Sequence, residues 1–270
     1  MDGLLSLLLA CAGPKDPVDT FATAQPDSDD STIDDSAVDD SAVDDTGSTG
    51  WQAVWGGLES TCARGASRIT CWGHADPIPE ANLALETGAY SSAHASHDIC
   101  ALTSATSEVE CWGPVDGPGV PIVQMDAAQT FFCGLDALGF IHCWDQTQGT
   151  EGHPETGGWK KVDAGYAVSC ALSDHGELAC WGLDDGSVND HGGVTEAPIG
   201  ETFIDVSAGR NHACAQRPDG SLTCWGQNNY GQSDPPPGTA WTQLTVGYFH
   251  ACALDEQGLA TCWGTEPGDG

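Results

Sequence analysis

The sequence predicts an all-β repeat protein of six hairpin units, and three observations lead there. Twelve of the thirteen cysteines fall into six pairs, with the two members of each pair about ten positions apart. Every second cysteine is followed at once by tryptophan. Upstream of the pairs a Trp-x-x-Val-x-x-Gly pattern returns with varying fidelity, dividing residues 51–264 into units of about 36 residues. Periods of that size mean a solenoid, a propeller or an array, whose single units cannot bury an apolar face alone.

The pairs are Cys62/Cys71, Cys100/Cys111, Cys133/Cys143, Cys170/Cys180, Cys214/Cys224 and Cys252/Cys262. Their followers are Trp72, Trp112, Trp144, Trp181, Trp225 and Trp263; five then have glycine, and the third has Asp145. The upstream pattern is clear in Trp51, Val54, Gly57 and Cys62, and again in Trp159, Val162, Gly165 and Cys170. It returns as Phe203, Val206, Gly209 and Cys214, and as Trp241, Leu244, Gly247 and Cys252. The third copy keeps it loosely (Ile122, Met125, Ala128, Cys133). The second, read as Ala89, Ser92 and Ala95, has nearly lost it.

Inside a unit no helical periodicity persists. Leu222-Thr-Cys-Trp and Trp241-Thr-Gln-Leu-Thr-Val are short and β-rich, bounded by Gly, Asp and Pro. Asp174-His175-Gly176 and Pro218-Asp219-Gly220 are turn signals at the centre of their cysteine pairs. Each pair therefore flanks a hairpin with its cysteines in register, where opposed residues lie within disulfide range. A metal site is the competing use of paired cysteines, but CxxC spacing is absent. Six disulfides are expected, which leaves Cys11 over. The tryptophans read as packing residues between units rather than a carbohydrate platform, since one position repeated six times marks a core. The connection from Ala75 to Gly88 is partly apolar (Ile78, Leu83, Leu85) and reads as hiding a further strand.

Residues 1–11 read as an export signal. Leu4 to Ala10 is apolar and too short to span a bilayer. Leu8-Leu9-Ala10-Cys11 resembles the lipobox of bacterial lipoproteins, which implies lipid on Cys11 and, with Ala12-Gly13 following, an outer-membrane or cell-surface location. Met1-Asp2-Gly3 lacks the positive front of such signals, which points to a start further upstream. Residues 12–50 form an acidic linker with eleven Asp against Lys15, expected to be disordered and extended by self-repulsion. Residues 265–270 are a short tail. The net charge of −33 excludes the basic face that nucleic acid requires. The same field repels anionic lipid, so membrane contact is expected through the lipid anchor alone. The partner is expected to be a protein or polymer, neutral or basic, and the chain a monomer.

Residues 206–232, VSAGRNHACAQRPDGSLTCWGQNNYGQ, resemble a repeat of the regulator of chromosome condensation family through Gly209, His212, Gly220, Trp225-Gly226, Asn228 and Gly231-Gln232. The sixth unit repeats Gly247, His250, Gly258 and Trp263-Gly264. The resemblance implies a β-propeller of six, alternatively seven, short antiparallel blades with one disulfide-stapled hairpin per blade. Ring closure is then expected from Trp51 to Gly57, as a strand of the last blade beside residues 252–264. The eponymous member exchanges nucleotide on chromatin, an activity not carried over to a chain without a basic segment. Relatives that inhibit β-lactamases through one propeller face leave a rigid, non-catalytic protein-binding platform as the transferable expectation.

Catalysis is not expected. His94 and His97 are the one histidine cluster, and their spacing in a strand puts them on opposite faces. His212 and His250, each two before a cysteine, read as structural; His175 sits in a turn and His74, His153 and His191 in loops. Neither a phosphate cradle nor an HExxH stretch is present. Partner contact is expected at loops between units: the one holding Asp184, Asp185, Asn189 and Asp190, and the one holding Asn228, Tyr230 and Pro235-Pro236-Pro237. No cofactor or metal is expected, calcium at the first loop being the one cation to weigh. The alternative is a structural or calcium-dependent surface component without a discrete ligand, and a hydrolase ranks last.

Overall fold

At the centre of four cysteine pairs a glycine in the left-handed region folds the chain back on itself. Gly139, Gly176, Gly220 and Gly258 have φ of 76°, 83°, 82° and 77° and donate their N–H groups to the carbonyls of Asp136, Ser173, Arg217 and Asp255. Glycine adopts that conformation without steric cost. Aspartate completes two of these turns: Asp136 accepts from the N–H of Leu138 and Phe140, and Asp255 from those of Gln257 and Leu259. The turn fixes the register of each hairpin, and the register brings the cysteines together. All six expected disulfides form, each between directly opposed residues with Cα atoms 4.0–4.1 Å apart.

The computed structural model describes residues 52–264 apart from 57–59, 66–67, 74–80, 83–84, 86–89, 96–97, 129–130, 146–151, 167 and 183–192. Each unit forms a three-stranded antiparallel sheet in chain order, giving six blades among these residues. Blade one holds β1 (Ala53–Gly56), β2 (Ser60–Arg64) and β3 (Ile69–Gly73), and blade two β4 (Tyr90–Ala95), β5 (Ile99–Thr103) and β6 (Val109–Trp112). Blade three holds β7 (Gln124–Ala127), β8 (Phe131–Leu135) and β9 (Ile141–Asp145), and blade four β10 (Trp159–Ala164), β11 (Val168–Ser173) and β12 (Leu178–Gly182). Blade five holds β13 (Asp205–Ala208), β14 (His212–Gln216) and β15 (Leu222–Gly226), and blade six β16 (Trp241–Val246), β17 (Ala251–Asp255) and β18 (Ala260–Trp263). First strands touch the first strands of neighbouring blades from β1 through β16, so they form the inner ring, and each disulfide joins the middle and outer strands.

The core lies between blades. Phe131, Cys133 and Ile141 of blade three pack with Val162, Ala171 and Trp181 of blade four. Val168, Cys170 and Leu172 of blade four meet Phe203, Val206 and Ala213 of blade five, and Cys214 and Leu222 of blade five meet Leu244, Ala251 and Ala253. Each disulfide thus does double duty as a staple and as apolar filling. The tryptophan after the pair packs on the other side of its blade, against the preceding one, in blades two to six. Trp144 and Trp181 are buried, while Trp225 Nε1 donates to Val194 O (2.9 Å) and Trp263 Nε1 to Gln232 O (3.0 Å), tying down the segment that leaves the preceding blade. Trp72 departs from the expectation: it is 42 % exposed.

Three expectations are corrected. Ala53–Gly56 pairs with Ser60–Arg64 inside blade one, so it is not a strand of blade six. Only eight residues separate Val54 from its partner Ala63, a shorter closure than any around the ring. In the Ala75–Gly88 connection, Ala81, Asn82 and Leu85 are helical rather than extended; Ala81 and Leu85 pack into the core, and Asn82 bonds both backbone groups of Cys71. The second unit has not lost its opening pattern. Ala93 opposes Ala101 as Val162 opposes Ala171, and Tyr90 takes the tryptophan place with the same bulge that follows Trp159 and Trp241. Tyr90 stands one position nearer to Cys100 than Trp159 does to Cys170, and that one-residue slide hid the match.

Candidate protein-contact face

The inner ring is held by side chains that reach from one blade to the next. Opposite the first cysteine of each pair stand Trp55, His94, Asp126, Asp163, Ser207 and Thr245. Trp55 lies against the His94 ring, and His94 Nδ1 is 3.3 Å from Asp126 Oδ1. The other oxygen of Asp126 accepts from Ala164 N (2.9 Å), Asp163 accepts from Ala208 N (2.7 Å), and Ser207 Oγ accepts from Val246 N (3.1 Å). Lys161 Nζ donates to Asp205 Oδ1 (2.6 Å) and Val206 O (2.7 Å) and lies 3.6 Å from Asp163. Burial pushes Lys161 down, but Asp163, Asp205 and Asp126 outweigh it and its pKa is raised. Burial pushes Asp163 up to about 7, against the pull of Lys161. These groups are spent on joining blades.

A second cluster sits at the end of the propeller where inner strands turn into middle strands. The residue after the repeat glycine is Tyr166 in blade four, Arg210 in blade five and Tyr248 in blade six, with Phe249 next to Tyr248. The Arg210 guanidinium carbon lies 5.3 Å from the Tyr166 ring centroid, 4.7 Å from Tyr248 and 5.6 Å from Phe249. The rings brace each other edge to face: Tyr166 on Tyr248 (5.3 Å), Tyr248 on Phe249 (4.5 Å), and Tyr230 on Phe249 (5.7 Å). Arg210 and all four aromatics are half-buried. Arg210 Nε is buried without a hydrogen-bond partner, and none of the ion pairs among the described residues includes Arg210. By contrast Lys161 and Arg217 are paired with Asp205 and Glu201.

The glycines beneath this cluster are dictated by proximity, not by φ. A Cβ on Gly165 would stand 2.0 Å from Gly209 O, and one on Gly209 would stand 2.3 Å from Gly247 O. Backbone meets backbone there, and Tyr166 N donates to Gly209 O across the boundary (3.1 Å). His212 is fully buried, its ring within contact of the Cα side of Gly209. Burial pushes its pKa down to about 4; the His250 backbone opposes that shift and the His250 imidazole reinforces it. A histidine held neutral in the fold charges first in the unfolded chain, so its stability contribution is complete above the unfolded value of about 6.5 and is lost as pH falls. Between about pH 6.5 and 4 the wild type is expected to lose about 3 kcal/mol that His212→Asn does not lose. Urea unfolding of both proteins at pH 7 and pH 4.5 checks it.

Of the expected contact residues, Asn228 and Tyr230 lie among the described ones. Asn228 is committed within its own loop, donating to Asp234 Oδ1 and accepting from Ser233 N (both 3.0 Å). Tyr230 joins the aromatic cluster through Phe249. Asp184, Asp185, Asn189, Asp190 and Cys11 lie outside the described residues, as do His74, His97 and His191. Among the described residues no three His, Cys, Asp or Glu side chains gather into a metal-holding group. Tyr166, Arg210, Tyr248 and Phe249 were not anticipated. Their signal was present: comparing the position after the repeat glycine across units four, five and six gives Tyr, Arg and Tyr.

The molecule is thus a propeller of three-stranded blades with a braced arginine at one end. Residues 203–232 and 241–267, in units five and six, match the family model described as the regulator of chromosome condensation (RCC1) repeat. Solved structures of similar fold include the ectodomain of the receptor kinase CR4 of Physcomitrella patens (TM-score 0.64, 22 % identity, 78 % of this chain and 60 % of that one). The ectodomain of the receptor kinase ACR4 of Arabidopsis thaliana also matches (0.62, 22 %, 79 % of each chain). So does Prp20p of Saccharomyces cerevisiae (0.62, 18 %, 78 % and 71 %), a structure reported with its binding properties to Gsp1p and histones. In sequence, the serine/threonine-protein kinase-like protein CCR2 of Arabidopsis thaliana is 26 % identical over 163 residues, 47 % of this chain. The chain spans only 21 % of that relative's length.

Proposed function

We propose that this protein is an exported, non-catalytic propeller that binds another protein at the end of blades four to six. The observation that supports this most is the Arg210 cluster: arginine and tyrosine are the residue types that dominate interface energetics, and here a ring scaffold holds them half-exposed. Prp20p, of similar fold, binds Gsp1p and histones, so protein contact is within this architecture's repertoire. Export follows from the six disulfides, which persist in oxidising compartments. Attachment to a bacterial outer membrane through lipid on Cys11 completes the reading, with the acidic residues 12–50 as the tether. The net charge of −33 steers basic proteins toward it and disfavours strongly acidic ones.

The test is photo-crosslinking from benzoylphenylalanine placed at Tyr230, on this face, or at Leu259, 65 % exposed in the β17–β18 hairpin at the opposite end. With the protein displayed on its producing cells, a discrete protein adduct is expected from position 230 and none from 259. Adducts from 259 alone would relocate the face, and none from either would remove the binding reading.

A further inference from the structure

We infer that Arg210 is the docking point for an acidic side chain of a partner polypeptide. This rests on the binding face proposed above and names what that face recognises. A guanidinium normally spends its five donors on carboxylates, carbonyls or water. In this chain forty Asp and Glu are available to seven Lys and Arg, yet Arg210 has no carboxylate partner among the described residues. It is held instead by π-faces: Tyr166, Tyr248 and Phe249 surround the guanidinium carbon at 4.7 to 5.6 Å. Such contacts satisfy the charge without consuming the N–H groups. They also fix the plane of the fork, so that less side-chain freedom is lost when it engages a carboxylate in two parallel hydrogen bonds.

The surroundings select the anion. A nucleic acid or an anionic membrane brings many negative charges to a protein of net charge −33, and the summed repulsion opposes both. One carboxylate within a neutral or basic segment escapes that penalty. Capture of a chain terminus needs a nest of free backbone N–H groups. Here three of the nearby N–H groups are already spent: Tyr166 N donates to Gly209 O, Gly209 N to His212 O and Gly247 N to His250 O. What remains is a lone fork in an aromatic frame. That frame suits an Asp or Glu side chain flanked by apolar residues, which would lie on Tyr166, Tyr230, Tyr248 and Phe249.

The test uses the full chain and an array of immobilised neutral-to-basic peptides, each with one central glutamate, printed beside a glutamine twin and a twin with that carboxylate only at its C-terminus. Wild type is expected to bind a subset of glutamate peptides at least about 30-fold more tightly than their glutamine twins, a preference that Arg210→Gln abolishes. Arg210→Lys restores charge without the fork and is expected to recover only part of it. Binding that Tyr248→Ser weakens but that ignores glutamate versus glutamine would overturn the inference while leaving the binding face in place. Preference for the C-terminal twin would overturn it in favour of terminus capture. Binding that neither Arg210→Gln nor Tyr248→Ser affects would remove the face itself. The glutamine twins keep the conclusion independent of whether any one variant folds.

Discussion

Reduced protein is expected to unfold at 25 °C without denaturant. Each staple closes a loop of nine to eleven residues inside its own hairpin, so the six loops neither overlap nor nest. A loop of that size restricts the unfolded chain by about 2.5–3 kcal/mol in the entropy model, and six independent loops sum to about 15 kcal/mol. That equals or exceeds the whole stability of an ordinary domain. The loss is compounded in the fold, because Cys62, Cys100, Cys133, Cys170, Cys214 and Cys252 are 0–1 % exposed, and the first five fill seams between blades. Blades of three strands offer little else: Phe131, Phe132 and Phe203 are the largest fully buried side chains among all the described residues. The measurement is near-UV and far-UV circular dichroism after dilution from guanidinium into buffer with or without a phosphine reductant. Native spectra are expected only without reductant; a native spectrum with twelve free thiols would contradict the argument. Removing one staple, Cys170→Ala with Cys180→Ala, is expected to cost about 3 kcal/mol in urea.

The second large effect comes from one methyl group. Gly165→Ala places a carbon 2.0 Å from Gly209 O and 2.9 Å from Val168 O, and both obstacles are backbone. No rotamer change relieves such an overlap, so blades four and five must separate where Tyr166 N bonds Gly209 O. The cost is expected to reach at least about 3 kcal/mol, the upper end for overpacking. Gly200, at φ 78° with nothing within 4 Å of where a Cβ would stand, is the control for backbone strain alone, and Gly200→Ala is expected to cost about 1 kcal/mol. Gly165 carries no positive φ, so a loss no larger than that of Gly200→Ala would contradict the blade-contact argument.

Covalent chemistry and turn chemistry made the blades legible in the sequence. Cysteine and the Trp-Gly dipeptide tolerate few substitutes, so they mark the same two strands in each unit even where the rest has diverged. The inner strand is less constrained in identity. The position opposite the first cysteine holds Trp55, His94, Asp126, Asp163, Ser207 and Thr245, five residue types, and only the strand register and the contacts that the first five make to the next blade reveal that they are equivalent. Residues 53–56 were readable as a strand, but its partner was a matter of pairing that periodicity does not encode. The Arg210 face was harder because its residues come from three repeats, and its meaning lies in their differences. A column that reads Tyr, Arg, Tyr looks like drift along the chain and becomes a braced cation once the ring brings blades four, five and six side by side.

Peptide mapping of the disulfides in protein isolated from its native compartment tests the central claim, six covalently closed blades holding one rigid face, most directly. The expected result is six local bridges, Cys62–Cys71, Cys100–Cys111, Cys133–Cys143, Cys170–Cys180, Cys214–Cys224 and Cys252–Cys262, with no free thiol among these twelve. Bridges between units, or cysteines recovered reduced, would contradict both the stapled propeller and the export that the staples require.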